Sequence, residues 1–127
     1  MAELAHKKIR EWWKFGMSEN LTNQDLIAEK YQGIRPASGY PSQPDHTEKD
    51  TIWHLMSVGE RIGLELTESR AMNPGCSVSG LYFSNPNARY FNVGSLGRDQ
   101  VEDYARRKKW PIEKAIKWLR PNLGFDA

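Results

Sequence analysis

The sequence predicts an α+β domain in which a small antiparallel sheet is flanked by helices. Apolar residues recur at helical spacing near both ends of the chain, in residues 3–15 and 112–119. Between these segments, polarity alternates with a period of two in parts of residues 64–96, which also contain proline and glycine turn signals. A chain of 127 residues with 39% apolar content can bury one modest core. We therefore expect a single domain over residues 1–127.

The amino-terminal half is expected to be mainly helical. The apolar residues of the first helix are spaced to form a stripe that faces the rest of the domain: Ala5, Ile9, Trp12 and Trp13. Two polar pairs of the capping type predict where the next helices begin, namely Thr22 with Asp25, before a helix over residues 23–30, and Thr47 with Asp50. The third helix should turn Ile52, Leu55 and Met56 toward the core.

The sheet is expected within residues 64–96. Strand-like segments lie at residues 64–67, 77–84 and 89–96. Two proline-containing segments separate them, a loop at residues 71–75 and a hairpin turn at residues 85–87.

Two helices are expected to close the chain as scaffold. Asp99 with Glu102 predicts the start of the first. Pro111 suits the first turn of the second, in which four apolar residues are spaced for burial: Ile112, Ala115, Ile116 and Leu119.

Composition argues against several classes of function. The net charge of +2 is small, and the short basic clusters have acidic neighbours, which argues against a nucleic-acid partner. No apolar run approaches the length needed to cross a bilayer, so no membrane association is expected. The single cysteine, Cys76, excludes an internal disulfide and is typical of a reducing compartment, which indicates a cytoplasmic protein. The histidines His6, His46 and His54 are widely separated, so no protein-built metal site is expected.

The proline-rich loop, residues 33–47, is the most informative stretch. It contains three of the seven prolines and two of the ten glycines, so it cannot form a regular helix or a central strand. Prolines favour extended backbone before them, so we expect a stiff loop that presents Arg35, Tyr40 and His46. A cation and a flat ring on a stiff backbone suit an anionic, planar ligand. A surface linker is the alternative interpretation of the same pattern.

Residues 35–41, Arg-Pro-Ala-Ser-Gly-Tyr-Pro, and residues 44–49, Pro-Asp-His-Thr-Glu-Lys, together resemble the activation domain of cobalamin-dependent methionine synthase, which binds S-adenosylmethionine. The likeness continues through Leu-Thr-Glu-Ser at 66–69, Val-Ser-Gly at 78–80, Tyr-Phe-Ser at 82–84, Arg-Tyr-Phe at 89–91, Asp-Gln-Val-Glu-Asp-Tyr-Ala at 99–105, Trp-Leu at 118–119 and Pro-Asn-Leu-Gly at 121–124. The likeness spans almost the whole chain. The chain resembles the carboxy-terminal part of that domain.

The resemblance implies a set of cofactor-binding residues and no catalytic residue. Arg35 matches the arginine that engages the ligand carboxylate, and a guanidinium fork suits a carboxylate. Tyr90 and Phe91 match an aromatic pair that lines the cofactor site. The other implied residues are the small Ala37 and Gly39, against which the ligand lies, and Tyr40 and His46, which resemble segments that face the cobalamin.

The implied function is that of part of a cobalamin-dependent methionine synthase, a 5-methyltetrahydrofolate–homocysteine methyltransferase. The family's domain acts in the reductive methylation that reactivates cob(II)alamin, with S-adenosylmethionine as methyl donor. The implied partners are the cobalamin-binding domain, which holds the cobalamin, and flavodoxin or another reductase. The isolated chain is not expected to be catalytic, because no nucleophile–base pair or Gly-rich phosphate loop is present.

The alternative is a non-catalytic protein-interaction module with a vestigial ligand site, which would dock through Trp12, Trp13 and the basic clusters. A stand-alone methyltransferase is disfavoured, because the Gly-rich strand-to-helix turn and the parallel α/β alternation of that class are absent from the sequence.

Overall fold

The computed structural model describes residues 2–127 and confirms the α+β class. Within these residues there are six α-helices, a two-stranded antiparallel sheet and one short 3-10 helix at Arg120–Asn122. The elements are α1 (Ala2–Trp12), α2 (Asn23–Ile27), α3 (Glu48–Met56), α4 (Val58–Ile62), β1 (Glu65–Leu66), β2 (Met72–Asn73), α5 (Arg98–Lys108) and α6 (Ile112–Leu119).

The chain divides into two compact units. Unit 1 consists of residues 2–37 and Val78–Tyr90, and unit 2 consists of Ser38–Ser77 and Phe91–Ala127. The single domain expected over residues 1–127 stays a prediction.

In unit 1, α1 buries a polar face instead of the expected tryptophan stripe. His6 and Arg10 are its buried residues. Trp12 and Trp13 are 75% and 55% exposed, so the prediction that they face the core is wrong. Charged atoms are buried at a cost unless they find partners, and the partners of this face lie on later segments of unit 1.

The capping pair predicted for α2 is confirmed. The backbone nitrogen of Asp25 donates to the Thr22 hydroxyl at 3.2 Å, and the backbone nitrogen of Thr22 donates to the Asp25 carboxylate at 3.0 Å. The helix ends at Ile27, earlier than expected, and Glu29 beyond it has a positive φ of 56°.

In unit 2, α5 and α6 enclose the main apolar core. Its fully buried members come from the two helices in equal number: Val101, Ala105, Ala115 and Leu119. The helix α6 begins at Ile112, so Pro111 is its N-cap residue and lies just before the first turn, where the sequence placed it. The prediction for the start of α5 is wrong, because the capping side chain belongs to Gln100 rather than to Glu102. The Oε1 of Gln100 accepts from the Gly97 backbone nitrogen at 2.8 Å.

The predicted sheet is smaller than expected. In the register of β1 and β2, Glu65 lies opposite Asn73 and Leu66 opposite Met72, so part of the expected 71–75 loop is a strand. Residues 77–84 and 89–96 do not form the predicted hairpin.

The backbone of these two segments bonds to the proline-rich loop instead. The nitrogen of Phe83 donates to the Ile34 carbonyl at 2.9 Å in unit 1, and the nitrogen of Val93 donates to the Pro41 carbonyl at 3.0 Å in unit 2. Loop segments with prolines cannot continue a ladder, so these pairings stay isolated.

The predictions for α3 are partly wrong. Thr47 makes no capping bond to the helix, and its hydroxyl donates to Asp45 at 2.8 Å. Leu55 and Met56 are exposed rather than core-facing. No helix within residues 2–127 has the length and apolar character needed to cross a membrane. The same residues contain no group of three or more His, Cys, Asp and Glu side chains arranged for a metal ion.

Candidate functional site

Arg35 lies in unit 1, in the proline-rich loop, with its guanidinium shielded from solvent. The side chain is 13% exposed, and its Nη2 forms an ion pair with a carboxylate oxygen of Glu3 on α1. The backbone nitrogen of Arg35 donates to the hydroxyl of Tyr90 at 2.9 Å. Thus unit 1 brings together two of the residues expected to bind the cofactor, Arg35 and Tyr90.

Tyr90 is held in turn by Tyr31. The two hydroxyl oxygens are 3.1 Å apart. Burial, followed by the hydrogen bond to Tyr90, raises the pKa of Tyr31 above its ordinary value, so this hydroxyl stays protonated. The pair fixes the position of the oxygen that accepts from Arg35.

Behind this pair lie two basic residues of α1. The ring of His6 meets the ring of Tyr31 edge-on at a centroid distance of 4.5 Å, and the guanidinium carbon of Arg10 lies 4.6 Å from the Tyr31 ring centroid. Burial, Arg10 and Arg35 lower the pKa of His6 to about 4, so its imidazole is neutral at pH 7.

Sequence reasoning missed these supporting residues. Glu3, His6 and Arg10 are spaced by three and four residues, so they share one face of α1. That spacing was available in the sequence. A charged face is usually solvated, however, so the pattern favours the apolar stripe as the core-facing side.

Ala37 follows Pro36, and the backbone near Leu81 closely approaches the Pro36 carbonyl. The backbone nitrogen of Leu81 donates to the Pro36 carbonyl at 2.8 Å. A Cβ placed on Gly80 would lie 3.1 Å from the Pro36 oxygen, so a residue larger than glycine would disturb this approach. Gly80 therefore permits this close approach of the two backbone segments.

In unit 2, Gly39 and His46 lie against each other. Gly39 has a φ of +99°, and its backbone nitrogen donates to the Gln43 carbonyl at 2.7 Å. A Cβ at Gly39 would lie 2.2 Å from Cε1 of the His46 ring. Only glycine fits here, because the positive φ disfavours other residues and the His46 ring occupies the space of a side chain.

The His46 ring is held on its other side by Lys49. The two nitrogens, Nζ of Lys49 and Nδ1 of His46, are 3.0 Å apart. Burial and then the charge of Lys49 lower the pKa of His46, while Asp45 opposes the shift. The imidazole is therefore kept neutral at pH 7.

A buried carboxylate anchors the end of the proline-rich loop. Asp45 accepts from the Thr47 backbone nitrogen at 2.7 Å and from the Tyr104 hydroxyl at 2.6 Å. Lys108 on α5 forms a bond of 2.5 Å with Glu48 at the start of α3. These contacts tie the loop end to α5, and they give the residues next to His46 a rigid support.

The remaining predicted residues of unit 2 are more open. Tyr40 is exposed and begins the turn whose Gln43 nitrogen donates back to the Tyr40 carbonyl at 2.8 Å. Phe91 is 61% exposed. In the segment after β2, Cys76 is exposed as well.

The arrangement in unit 1 can bind an anion. The shielded guanidinium of Arg35 already pairs with the carboxylate of Glu3, so a carboxylate fits against it. A donor set of this kind suits the carboxylate of an amino-acid ligand.

Comparison with known proteins gives a family match and a structural match. The family model described as vitamin B12 dependent methionine synthase, activation domain, matches residues 1–109. A crystal structure of the MetH reactivation domain bound to AdoHcy is 55% identical in sequence, with a TM-score of 0.91. That match covers 98% of this chain and 39% of the solved chain, so this chain spans about two fifths of the length of that relative. The resemblance read from the motifs is confirmed, and the chain belongs to the family of vitamin B12 dependent methionine synthase activation domains.

Proposed function

We propose that this chain is the S-adenosylmethionine-binding part of a cobalamin-dependent methionine synthase and acts in the reductive methylation that reactivates cob(II)alamin. Family membership supports the proposal. So does the solved relative, which is described as bound to AdoHcy, the demethylated form of S-adenosylmethionine. The single observation that carries it in this chain is the shielded Arg35 guanidinium, which donates to the carboxylate of Glu3.

The proposed ligand contacts use the residues that the family resemblance implies. Arg35 holds the carboxylate, with its backbone fixed by Tyr90. Ala37 and Gly39 have little or no side chain, so the ligand can lie against the loop there. We propose that three exposed rings meet the ligand or the cobalamin: Tyr40, His46 and Phe91.

The chemistry needs little from the protein beyond positioning. When bound, S-adenosylmethionine supplies an activated methyl group and cobalamin, on its own domain, supplies the metal that accepts it. The residues of this chain hold the amino-acid end of the ligand and keep its orientation. An acid–base pair is not required for such a transfer, and we propose that the isolated chain is not catalytic.

The proposed partners are the cobalamin-binding domain of the same enzyme and a flavodoxin or other reductase that supplies the electron. The whole enzyme would be a 5-methyltetrahydrofolate–homocysteine methyltransferase. We propose a cytoplasmic location, which the single exposed Cys76 supports because such thiols are common in reducing compartments.

Titration calorimetry of S-adenosylmethionine into the 127-residue chain tests the proposal. We expect Arg35→Ala to weaken binding by about 30-fold, or about 2 kcal/mol, because a charge-assisted contact is lost. Arg35→Lys should lose less affinity, since the charge remains but the fork does not. Arg61→Ala, which removes an exposed arginine of α4, is the matched control.

Arg35→Ala also leaves Glu3 without its partner, so the double variant Glu3→Gln, Arg35→Ala separates a folding defect from a binding defect. Unchanged affinity in a folded double variant would remove Arg35 from the site. If the folded unsubstituted chain gave no heat, these residues would not suffice for binding.

A second candidate function is that of a protein-interaction module, favoured by the exposure of Trp12 and Trp13. Large exposed aromatic side chains are typical of interface anchors. Under this alternative, Trp12→Glu with Trp13→Glu abolishes docking of a partner, and Arg35→Ala leaves it unchanged. Under the first proposal, Arg35→Ala reduces ligand binding and the tryptophan variant does not.

A further inference from the structure

Lys49, in the first turn of α3, is a buried charged residue with a specific set of partners. It is 7% exposed. Its Nζ lies 3.0 Å from Nδ1 of His46 and donates to the Arg70 carbonyl oxygen at 2.8 Å. An ammonium group is costly to bury unless such acceptors are supplied, so the position of Lys49 is specified by its partners.

These contacts determine which nitrogen of His46 can hold a proton. A lysine ammonium only donates, so Nδ1 of His46 acts as the acceptor and has no proton. In a neutral imidazole the proton then lies on Nε2. His46 is exposed, so this N–H is a hydrogen-bond donor at the surface of unit 2.

The orientation of the ring is fixed on its second side by Gly39. A Cβ on that glycine would lie 2.7 Å from Nε2 of His46 and 2.2 Å from Cε1. The ring therefore lies between a backbone surface and the lysine. A ring held in this way loses little side-chain entropy when it binds an acceptor.

The carbonyl that holds Lys49 is itself rigid. Arg70 has a positive φ of 64°, and its backbone nitrogen donates to the Thr67 carbonyl at 2.9 Å. Its Nε lies 2.7 Å from the carboxylate of Asp50, the residue after Lys49. The support of the lysine thus extends into the turn between β1 and β2.

We propose that Lys49 is a positioning residue that holds His46 as a neutral Nε2–H donor for an uncharged hydrogen-bond acceptor on the docked cobalamin-binding domain. The identity of that partner rests on the function proposed above. The Lys49–His46 pair can be tested without it. Lys49 acts through His46 and does not itself touch the acceptor.

The first experiment is nitrogen-15 NMR of the histidine rings in the full chain, assigned with His6→Gln, His46→Gln and His54→Gln. We expect the unsubstituted His46 to have a protonated Nε2 and a hydrogen-bonded Nδ1. In Lys49→Met, the Nδ1 resonance should move to that of a nitrogen that accepts no hydrogen bond. The pKa of His46 should rise, because burial and then the charge of Lys49 lower it in the unsubstituted chain and that charge is lost.

Lys117→Met is the matched control, because it removes an exposed lysine from α6 of the same unit. It should leave both signals of His46 unchanged. A protonated Nδ1 in the unsubstituted chain would overturn the proposal without any variant. So would a Lys49→Met protein in which neither signal of His46 moved.

The second experiment measures docking of the cobalamin-loaded binding domain of methionine synthase in a double-mutant cycle. Lys49→Met should weaken docking about fivefold when residue 46 is histidine, as expected for one misplaced hydrogen bond. In His46→Gln the amide donates without choosing a tautomer, so Lys49→Met should change docking less than about twofold.

Equal losses in both backgrounds would overturn the positioning role. If the unsubstituted chain did not dock at all, the proposed function and the acceptor inferred from it would be contradicted. The NMR signals would still show independently whether Lys49 donates to Nδ1 of His46.

Discussion

Glu3 and Arg35 form an ion pair in unit 1, between the first turn of α1 and the proline-rich loop. The guanidinium that we propose for the ligand carboxylate is therefore already in contact with a carboxylate of the protein. The side chain of Glu3 is 31% exposed, so it has a route to solvent if a ligand replaces it. Two carboxylates then compete for one guanidinium.

Replacing Glu3 with glutamine should tighten the binding of S-adenosylmethionine. The competing charge is removed, and a partly exposed ion pair is worth about 1 kcal/mol, so we expect a gain of about fivefold by calorimetry. Glu11→Gln is the control, because Glu11 is an exposed residue of the same helix. Weaker binding by Glu3→Gln would mean instead that Glu3 orients the guanidinium for the ligand.

His6 should make stability depend on pH. Burial, Arg10 and Arg35 lower its pKa from 6.5 to about 4, so the unfolded chain binds this proton more readily than the folded chain. The contribution is fully present above the unfolded pKa of 6.5 and is lost as pH falls toward about 4. The loss is at most about 3.5 kcal/mol, because each pKa unit corresponds to about 1.4 kcal/mol.

Urea unfolding at pH 7.5 and pH 5 measures this effect. The difference between the two pH values should shrink in His6→Gln, whose amide does not titrate. It should persist in His54→Gln, since His54 is exposed. An identical pH dependence in His6→Gln and the unsubstituted chain would contradict the assignment.

Removing the hydroxyl of Tyr104 should destabilise the chain. In Tyr104→Phe, the buried Asp45 loses a hydrogen bond of 2.6 Å and keeps its two bonds from Thr47. We expect a decrease of about 1–2 kcal/mol in the free energy of unfolding, measured by denaturant titration. Tyr82→Phe, in unit 1, is the comparison, and an equal decrease there would argue against a specific role of the Asp45 bond.

Gly39 should not tolerate alanine. Its φ of +99° is strained for any other residue, and the new Cβ would lie 2.2 Å from the His46 ring. We expect Gly39→Ala to lower the free energy of unfolding by about 2 kcal/mol or more and to shift the His46 NMR signals. Gly75→Ala should do neither, because no atom lies within 4 Å of the Cβ position there. A stable Gly39→Ala protein with unchanged His46 signals would show that the ring is not held against this glycine.

Local patterns in the sequence were sufficient for several elements. The apolar spacing of α6 predicts its buried side, with Ala115 and Leu119 in the core. The bonds of the Thr22–Asp25 cap join residues three positions apart, so they form wherever this local sequence becomes a helix. The long motifs also identified the family, because their order along the chain is specific.

The tertiary structure decided the partners of the polar and extended segments. The strand-like residues near Phe83 bond to Ile34 rather than to residues 89–96, and α1 buries His6 and Arg10 while its tryptophans are exposed. Periodicity shows which residues share a face, but not which distant segment covers that face. The Arg35–Glu3 pair and the Lys49–His46 contact depend on such long-range packing, and burial is what gives these charged groups their energetic importance.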